Sequence, residues 1–540
     1  MNRTTDDTGG QVAVWLTTGD QRHLLEPQGA LHLEPITNVQ PAHIILDETL
    51  IDQEIDGFGA ALTDSAAWVL ASYLAADARE QVLRALFSPT DGIGLGYLRV
   101  PIGASDFALN HYTYNDMPPG RRDPELHHFS IAHDEHYILP ILRRARAINP
   151  SLKIMASPWS PPGWMKRHWI PGNPLYGGRL RRDCFDSYAR YLVAFARAYA
   201  TAGVPIDALT VQNEPEHASL RYPSMRMSAD EQTEFVRQHL GPALEQAQIA
   251  LKIVIWDHNW SNPHYPIAVL NDPGAKRYVA GTAFHGYSFP PRPEAQSLVR
   301  AAHPDRDIYF TECTGLIGSE FAGDLRWTMR HLLIGATRHG ARAVLLWNLA
   351  LDEHGNPHTG AGAQCRGVVS VTASGAVERN VEYYALGHAS RFVVPGARRI
   401  AATSADGLID TVAFKNPDGT KVLIALNEDD SARSLSVLWG GESFCYTLPA
   451  AAVATFTWRG EPTPAPLELP LALEPTPQPS AIPDTRLWVR LRRWVGDQLQ
   501  SLEPLIARRL GPRELVALVV GSALLAFLVY RGIRRMRLRR

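Results

Sequence analysis

Two glutamates, Glu214 and Glu312, each end a short β-rich run and are each followed by residues that favour a turn. The first run reads LTVQNEPEH over residues 209–217, and the second reads IYFTECTG over residues 308–315. Two carboxylates that flank a glycosidic bond are the minimum machinery for its hydrolysis: one donates a proton to the leaving oxygen, and the other attacks the anomeric carbon or activates water. The start of a loop also explains Asn-Glu-Pro. The chemical interpretation therefore depends on a fold that brings the two glutamates together.

Eight β-rich runs alternate with helical patterns along the chain, at 54–62, 95–103, 153–160, 208–214, 252–259, 281–288, 308–314 and 343–350. Between them, residues 187–203 and 228–247 show the spacing of apolar residues that is typical of amphipathic helices. This alternation predicts a (β/α)8 barrel, with a doubly wound open sheet as the competing interpretation. In a barrel, Glu214 closes the fourth strand and Glu312 the seventh. Both side chains then lie on the catalytic rim, at the carboxyl ends of the strands.

Other side chains that suit a sugar site fall at or just past the ends of the predicted strands: Arg99, Asp106, Trp159, Asn213, His285, Tyr287 and Trp347. Carboxylates and amides hydrogen-bond hydroxyl groups, and indole faces cover the apolar face of a pyranose. Each residue also has a structural interpretation, because tryptophans fill cores, aspartates cap turns and arginines pair with structural acids. Their occurrence together on one rim favours a carbohydrate site.

Cofactors are not expected from the sequence. His258 and His285 have no second histidine or cysteine at ligand spacing, so no metal site is predicted. The cysteines lack both CxxC spacing and the density of a disulfide framework, and they are predicted to be free thiols: Cys184, Cys313, Cys365 and Cys445. The balance of 53 Lys and Arg against 55 Asp and Glu gives a formal charge of −2, which argues against a nucleic-acid partner.

Short alternating runs also occur on both sides of the predicted barrel, at 11–50 and 390–460, where NPDG and GG turns separate them and no helical pattern appears. They predict antiparallel strands of a second, β-rich domain. Because these strands come from both sides of the barrel in sequence, we expect them to join in one β-sandwich. The expected boundaries are 1–50 and 391–460 for this domain and 51–390 for the barrel.

The C-terminal part of the chain predicts attachment to a membrane. Residues 461–485 contain eight prolines and are typical of a semi-rigid spacer, and residues 486–510 mix tryptophans and leucines with arginines, as an interfacial amphipathic helix or a small surface helix does. Residues 514–533 include sixteen consecutive uncharged residues and predict a transmembrane helix, followed by a basic tail at 534–540. The N-terminal residues show no apolar run of the length that a secretory signal needs, so the expected side of the membrane is undetermined.

Six segments, in order between residues 45 and 400, resemble successive landmarks of glycoside hydrolase family 30: IDGFGAALTDSAA, LGYLRVPIGASDF, MASPWSPPGWMK, LTVQNEPE, YFTECTG and LLWNLALDEHGNP. This family includes glucosylceramidases and endo-β-1,6-glucanases, and the resemblance implies a retaining β-glycosidase with a (β/α)8 barrel and an attached β-domain. It also implies that Glu214 is the general acid/base and Glu312 the nucleophile. The resemblance further implies that the remaining matched positions hold the sugar or support the site: Asp106, Trp159, Asn213 and Trp347 in the −1 subsite, and Arg99 behind them.

The expected function is therefore hydrolysis of β-glucosidic bonds by double displacement, glucosylceramidase-like, with an endo-β-1,6-glucanase as the alternative. The expected substrate is a β-glucoside, a glycolipid or a β-glucan. A non-catalytic carbohydrate-binding protein and a metal-dependent or aldolase-type barrel are remoter alternatives, because both glutamates are present and the strand ends lack a metal-ligand cluster and a Schiff-base lysine. We also expect the charge of Glu312 to raise the pKa of Glu214 and so keep it protonated as an acid.

Overall fold

The computed structural model describes residues 10–37, 43–167, 173–360, 364–405 and 407–464. The predicted amphipathic segment, transmembrane helix and basic tail, and most of the proline-rich spacer, lie outside these residues. Within the described residues, no helix is long and apolar enough to cross a membrane. Membrane attachment therefore stays a prediction.

A closed barrel of eight parallel strands lies at the centre of the fold. In chain order, strands β1 to β8 are Gly57–Ala61, Tyr97–Ile102, Lys153–Pro158, Ala208–Thr210, Lys252–Asn259, Val279–His285, Asp307–Glu312 and Ala341–Leu346. Each strand pairs with the next along the chain, and β8 returns to pair with β1, where Ala343 lies opposite Gly57. The predicted (β/α)8 barrel is therefore confirmed, and the open sheet is wrong.

Helices connect the strands and cover the outside of the barrel. Their bounds are Asp64–Ser72, Ala76–Phe87, Ile138–Ile148, Phe185–Thr201, Ala229–Phe235, Gly241–Ala247, His264–Leu270, Pro273–Lys276, Glu294–Ala302, Phe321–Trp327 and Val381–Ser390. Wider π-helical turns continue two of them, at Val236–Leu240 and Thr328–Ala336. Ser228 caps one helix through a reciprocal hydrogen-bonded pair with Glu231, which fixes where the chain enters the helix.

The barrel interior changes from apolar to polar toward the carboxyl ends of the strands. A buried cluster fills its lower part: Tyr97, Met155, Ala208, Val254, Ala283, Tyr309, Ala343 and Leu345. Arg99 follows Tyr97 by two positions on β2, so its side chain points into the same interior one layer higher. The apolar layer thus forms the floor on which a polar site is built.

Strands from both ends of the described chain form one mixed sheet of eleven strands beside the barrel. Its order is Leu24–Pro27, Gln11–Thr18, Ala452–Trp458, Lys421–Asn427, Ile409–Lys415, Arg398–Ser404, His43–Glu54, Arg433–Trp439, Glu442–Leu448 and Glu34–Pro35, with Leu31–His32 paired to Gln11–Thr18. Val14 lies opposite Phe456, and both are buried in the core of this domain. The two flanking segments therefore join in one β-domain, as the sequence predicts.

Short strands complete the described structure, in the loops that extend from the barrel. They pair as Lys166–Arg167 with Arg179–Leu180, Gly315–Leu316 with Cys365–Arg366, and Ala350–Leu351 with Val369–Val371 and Val377–Arg379. Two of these pairs hold loops that follow β7 and β8. They therefore help to shape the wall above the carboxyl ends of the strands.

Candidate active site

Glu214 and Glu312 line one cavity of about 740 Å³ at the carboxyl ends of the barrel strands. Glu312 is the last residue of β7, as predicted. Strand β4 is shorter than predicted and ends at Thr210, so Glu214 lies four residues beyond it. Its backbone still joins the barrel, because the Glu214 N–H donates to the carbonyl oxygen of Asp257 at 3.0 Å. The two carboxylates therefore lie at one cavity, as predicted, although Glu214 is on a loop and not on a strand.

Glu214 has a left-handed backbone conformation, with φ of 45°. This region is sparsely populated by residues other than glycine, and residues held in it at a cost of about 1–3 kcal/mol cluster at active sites. On one side of it, the N–H of Asn213 donates to the carbonyl oxygen of Pro158 at 2.9 Å, which ties the loop to β3. The neighbouring strands thus hold the loop in the conformation that directs Glu214 into the cavity.

All nine residues that the sequence selected lie in or directly beneath this cavity. Seven of them line it: Asp106, Trp159, Asn213, Glu214, Tyr287, Glu312 and Trp347. The other two, Arg99 and His285, are fully buried behind the wall and reach the lining residues through hydrogen bonds. The selected residues therefore form a single site with an inner and an outer layer.

Arg99 organises the inner layer through its guanidinium group. Its Nη1 donates to Oε2 of Glu312 at 2.5 Å, and its Nη2 donates to Asn213 and Asp257, both at 2.7 Å, and to Ser157 at 3.1 Å. A buried charge is tolerated only when it is paired and hydrogen-bonded. Arg99 therefore positions Glu312 and Asn213 without occupying the cavity itself.

Asn213 is left with a hydrogen-bond donor for the cavity. Because its Oδ1 accepts from Arg99, its amide nitrogen is the group that remains for a ligand. Trp159 and Trp347 form an apolar wall nearby, with ring centroids 5.2 Å apart and planes at 24°. Burial, together with the charge of Glu312, raises the pKa of Asp106 well above its usual value. An amide donor, an acid and an indole wall are the groups that bind a sugar ring.

His285 lies between the two glutamates and ends β6. Its Nδ1 lies 3.2 Å from Oε1 of Glu214 and 3.9 Å from Oε1 of Glu312, and its Nε2 lies 3.1 Å from Oδ1 of Asp257. The nearest oxygens of the two glutamates are therefore no more than about 7 Å apart, which is within reach of one glycosidic bond. Burial lowers the pKa of His285, but the charges of Glu312 and Asp257 and its hydrogen bonds outweigh burial and raise the pKa to about 9.

The pKa values of the two glutamates are shifted in opposite directions. Burial alone raises the pKa of Glu214, but His258 and His285 outweigh it and hold this pKa well below its usual value. Burial and the charge of Glu214 raise the pKa of Glu312, against the opposing effects of His285 and Arg99. The expectation that Glu214 has a raised pKa and so stays protonated is therefore wrong, because two histidines lie against Glu214 and outweigh the charge of Glu312.

Tyr287 is the second group that holds Glu312. Its hydroxyl donates to Oε1 of Glu312 at 3.0 Å, so each carboxylate oxygen has one donor. The residue is 40% exposed and lies in the loop after β6. Tyr287 therefore connects the buried carboxylate with the mouth of the cavity.

Sequence reasoning missed several residues of the site, of which Asp257 is the most connected. Its carboxylate accepts from Arg99, His285 and the hydroxyl groups of Ser157, Thr210 and Thr311. Positive φ values at Trp256 and Asp257 and a shift in strand register show that β5 contains a bulge there. The rule that selected Glu312, an acid near the end of a β run, would also have found Asp257.

His258, His217 and Tyr222 also line the cavity and were not selected as site residues. His217 and Tyr222 come from the loop after β4 and hydrogen-bond to each other at 2.9 Å. His258 lies on β5, next to the strand that carries His285, and ligand atoms of Glu214, His258 and His285 all lie within 4.8 Å of one another. Spacing in the sequence therefore did not indicate that His258 and His285 lie close together. Neighbouring strands bring together residues that are distant in sequence.

The fold and the site together define a glycoside hydrolase, a (β/α)8 barrel with two facing carboxylates and an indole wall at its catalytic rim. Residues 55–393 match the glycosyl hydrolase family 30 TIM-barrel domain, and residues 396–456 match the glycosyl hydrolase family 30 beta sandwich domain. The chain belongs to glycoside hydrolase family 30.

The relatives that the chain matches are named for two different activities. The chain is 31% identical over 424 residues to the endo-1,6-beta-D-glucanase neg1 of Aspergillus fumigatus, a match that covers 75% of this chain and 85% of that protein. It is 29% identical over 482 residues to putative glucosylceramidase 1 of Caenorhabditis elegans, covering 83% of this chain and 89% of that protein. The solved structure of the endo-beta1,6-glucanase BT3312 matches with a TM-score of 0.76 at 32% identity, over 84% of this chain and all of that one. The chain is thus a retaining β-glycosidase whose named relatives differ in substrate.

Proposed function

We propose that this chain hydrolyses β-glucosides by double displacement, with Glu312 as nucleophile and Glu214 as general acid and base. The observation that carries the proposal is the arrangement of both carboxylates at one cavity, against the same ring nitrogen of His285. The hydrogen-bond donors of the two carboxylates differ. Glu312 has an arginine and a tyrosine as donors, whereas Glu214 has a histidine.

In the first step, Glu312 attacks the anomeric carbon, and the bond to the leaving oxygen breaks as that oxygen takes a proton. Arg99 and Tyr287 hold both oxygens of Glu312 and fix its direction of attack. The hydrogen bond between Glu214 and Nδ1 of His285 contains one proton, and transfer from this pair to the leaving oxygen completes the step. The sugar is then bonded to Glu312.

In the second step, water attacks the anomeric carbon, Glu214 accepts a proton from that water, and the bond to Glu312 breaks. The sugar leaves with the configuration that it had in the substrate, because each step inverts it once. During both steps, Asn213 and Asp106 hold sugar hydroxyl groups, and Trp159 with Trp347 covers an apolar face of the ring. These contacts orient the anomeric carbon toward Glu312.

The test is hydrolysis of an aryl β-glucoside by the wild type and by Glu312→Ala, each with and without azide. We expect the substitution to abolish hydrolysis, and azide to restore turnover with α-glucosyl azide as product, because the small anion occupies the space of the lost carboxylate. Glu216→Ala is the matched control, since Glu216 is exposed and lies outside the cavity lining. A Glu312→Ala enzyme as active as Glu216→Ala would rule out this role for Glu312.

We further propose that the aglycone is apolar, as in a glucosylceramide. Exposed apolar residues either line the cavity or lie within two positions of a lining residue in the sequence: Leu220, Phe289, Leu316 and Ile317, with exposures of 51%, 98%, 48% and 36%. Leu316 lines the cavity itself, and Phe289 follows the lining residue Tyr287 by two positions. An exposed apolar patch is typical of a site that binds an apolar ligand or a lipid surface.

A β-1,6-glucan is the second candidate substrate, and the relatives named endo-1,6-beta-D-glucanase favour it. The two candidates are separated by comparing hydrolysis of glucosylceramide in vesicles with hydrolysis of a β-1,6-linked glucan. Release of glucose from the lipid, with no shortening of the glucan, supports the apolar aglycone. The reverse result supports the glucanase.

We also propose that residues 514–533 anchor the chain in a membrane. The support is the run of sixteen uncharged residues followed by six arginines among ten residues. The full chain should then stay with membranes after an alkaline carbonate wash, and a variant with Val520→Asp and Leu525→Arg should be released. Retention of that variant would contradict the anchor.

A further inference from the structure

His258 and His285 each direct their Nδ1 atom toward the same carboxylate oxygen of Glu214. Nδ1 of His285 lies 3.2 Å from Oε1 of Glu214, and Nδ1 of His258 lies 3.3 Å from the same oxygen. The two histidines come from neighbouring strands, β5 and β6, and the three ligand atoms all lie within 4.8 Å of one another. The three side chains thus converge on one point at the cavity wall.

Two of the three separations among these atoms suit a tetrahedral metal ion, and the third is within 4.8 Å. Zinc binds histidine nitrogen and carboxylate oxygen at about 2.0–2.2 Å, which places neighbouring ligand atoms of a tetrahedron about 3.3 Å apart. The two separations from Glu214, 3.2 and 3.3 Å, match this spacing. Two histidines and one glutamate are also the protein ligands of some zinc sites that keep a fourth position open.

The surroundings of the two rings also suit a metal ion. Nε2 of His285 lies 3.1 Å from Oδ1 of Asp257, and a carboxylate behind a histidine fixes the tautomer whose other nitrogen can bind a metal. Nδ1 of His258 is buried, and its approach to Glu214 at 3.3 Å does not have the geometry of a hydrogen bond among the residues that the structure describes. Such a nitrogen is costly to leave unsatisfied, and a metal bond would satisfy it. Glu214 and His258 line the cavity, which gives an ion a path of entry and an open fourth position.

We propose that Glu214, His258 and His285 bind a divalent transition-metal ion such as Zn²⁺, and that the bound ion inhibits hydrolysis. The proposed metal site depends only on the positions of these three side chains and not on the proposed function. Inhibition rests on the proposed function, because an ion on Oε1 of Glu214 displaces the proton that the leaving group needs. The ion is therefore an inhibitory ligand and takes no part in the reaction.

The first experiment is calorimetric titration of the full chain with Zn²⁺ alone, near neutral pH. We expect the wild type to bind one ion, and His258→Ala to bind it at least about tenfold more weakly, because one of three ligands is lost. His217→Ala is the matched control, since this histidine lines the same cavity but bonds to Tyr222, and its affinity for Zn²⁺ should equal that of the wild type. Equal affinities of the wild type and His258→Ala, or no binding to the wild type, overturn the proposal.

The second experiment uses Co²⁺ as a spectroscopic probe, because the chain has 20 histidines and Zn²⁺ can bind elsewhere. A tetrahedral Co²⁺ site absorbs far more strongly in the visible range than Co²⁺ bound to water, so this band reports the geometry of the site. We expect the band in the wild type and in His217→Ala, and its loss in His258→Ala and in the size-conserving variant His258→Gln. Persistence of the band in both His258 variants overturns the assignment of the ligands.

Inhibition is measured with an aryl β-glucoside, and each variant is compared with its own metal-free rate. The inhibition constant for Zn²⁺ should rise in His258→Ala by the same factor as the dissociation constant. An inactive wild type that still binds Zn²⁺ through His258 counts against the proposed function alone. Full hydrolysis by an enzyme saturated with Zn²⁺ overturns the inhibitory part of the proposal.

Discussion

Nη1 of Arg99 lies 2.5 Å from Oε2 of Glu312, and both side chains are buried. The same guanidinium group holds Asn213 and Asp257 through its other nitrogen, so one residue fixes the nucleophile and a sugar-binding amide at once. Lysine has a single terminal nitrogen and cannot reproduce this forked arrangement. Arg99 is therefore the residue on which the geometry of the site depends most.

Arg99→Lys should lower kcat/KM for an aryl β-glucoside by about 10- to 150-fold, because a lost hydrogen bond to a charged group is worth about 1.5–3 kcal/mol. Arg342→Lys is the control, since Arg342 pairs with Asp56, Glu54 and Asp307 near the amino-terminal ends of the strands, away from the cavity. We expect both variants to lower Tm but only Arg99→Lys to lower kcat/KM strongly. Equal kcat/KM values in the two variants would contradict a role for Arg99 in positioning Glu312.

Tyr287→Phe should lower kcat for the same substrate by about 10- to 100-fold with a small change in KM, because it removes the donor to Oε1 of Glu312 and keeps the ring. Tyr222→Phe removes a hydroxyl from the same cavity that bonds to His217 and to neither glutamate carboxylate. Its effect on kcat should be less than about threefold. A larger loss of kcat in Tyr222→Phe than in Tyr287→Phe would show that the hydrogen bond from Tyr287 to Glu312 does not determine kcat.

Phe289→Ser should lower hydrolysis of glucosylceramide in vesicles by about tenfold relative to hydrolysis of a soluble aryl glucoside. A phenylalanine side chain that is 98% exposed gains about 1.5–3 kcal/mol when it is buried in lipid. Leu50→Ser is the control, because Leu50 is 52% exposed and lies on a strand of the β-domain. If both variants change the ratio of the two rates equally, the cavity mouth does not contact the lipid.

The sequence predicts the fold better than the details of the site, and the reason is physical. Alternation of β runs and helices depends on local patterns, so all eight barrel strands were found, although β4 ends at Thr210 rather than at Glu214. Contacts between neighbouring strands are not local. The approach of His258 and His285 to Glu214, which reverses the expected direction of its pKa shift, follows from the order of strands and from the bulge at Asp257.

Asp134 gives a prediction that concerns stability. Its carboxylate is buried and accepts hydrogen bonds from the hydroxyl groups of Tyr114 at 2.6 Å and Tyr199 at 2.5 Å. Burial raises its pKa from 3.8 to about 6, against the effects of these tyrosines and of His133. The native state therefore binds the proton more tightly than the unfolded chain does. Between pH 4 and 6, this residue makes the free energy of unfolding decrease as pH rises, by about 3 kcal/mol in all.

Asp134→Asn should remove this decrease, because an amide does not titrate and its oxygen still accepts from a tyrosine. The measurement is urea unfolding of both proteins between pH 4 and 7, where the difference in their free energies of unfolding should change with pH. Asp123→Asn should give a difference that is nearly constant over this range and takes the opposite slope only below about pH 4, because hydrogen bonds from Asn115 and His128 outweigh burial and hold the pKa of Asp123 below its usual value. Its carboxylate thus adds stability that is lost as pH falls. Parallel pH profiles for the wild type and Asp134→Asn would mean that Asp134 keeps an ordinary pKa in the native state.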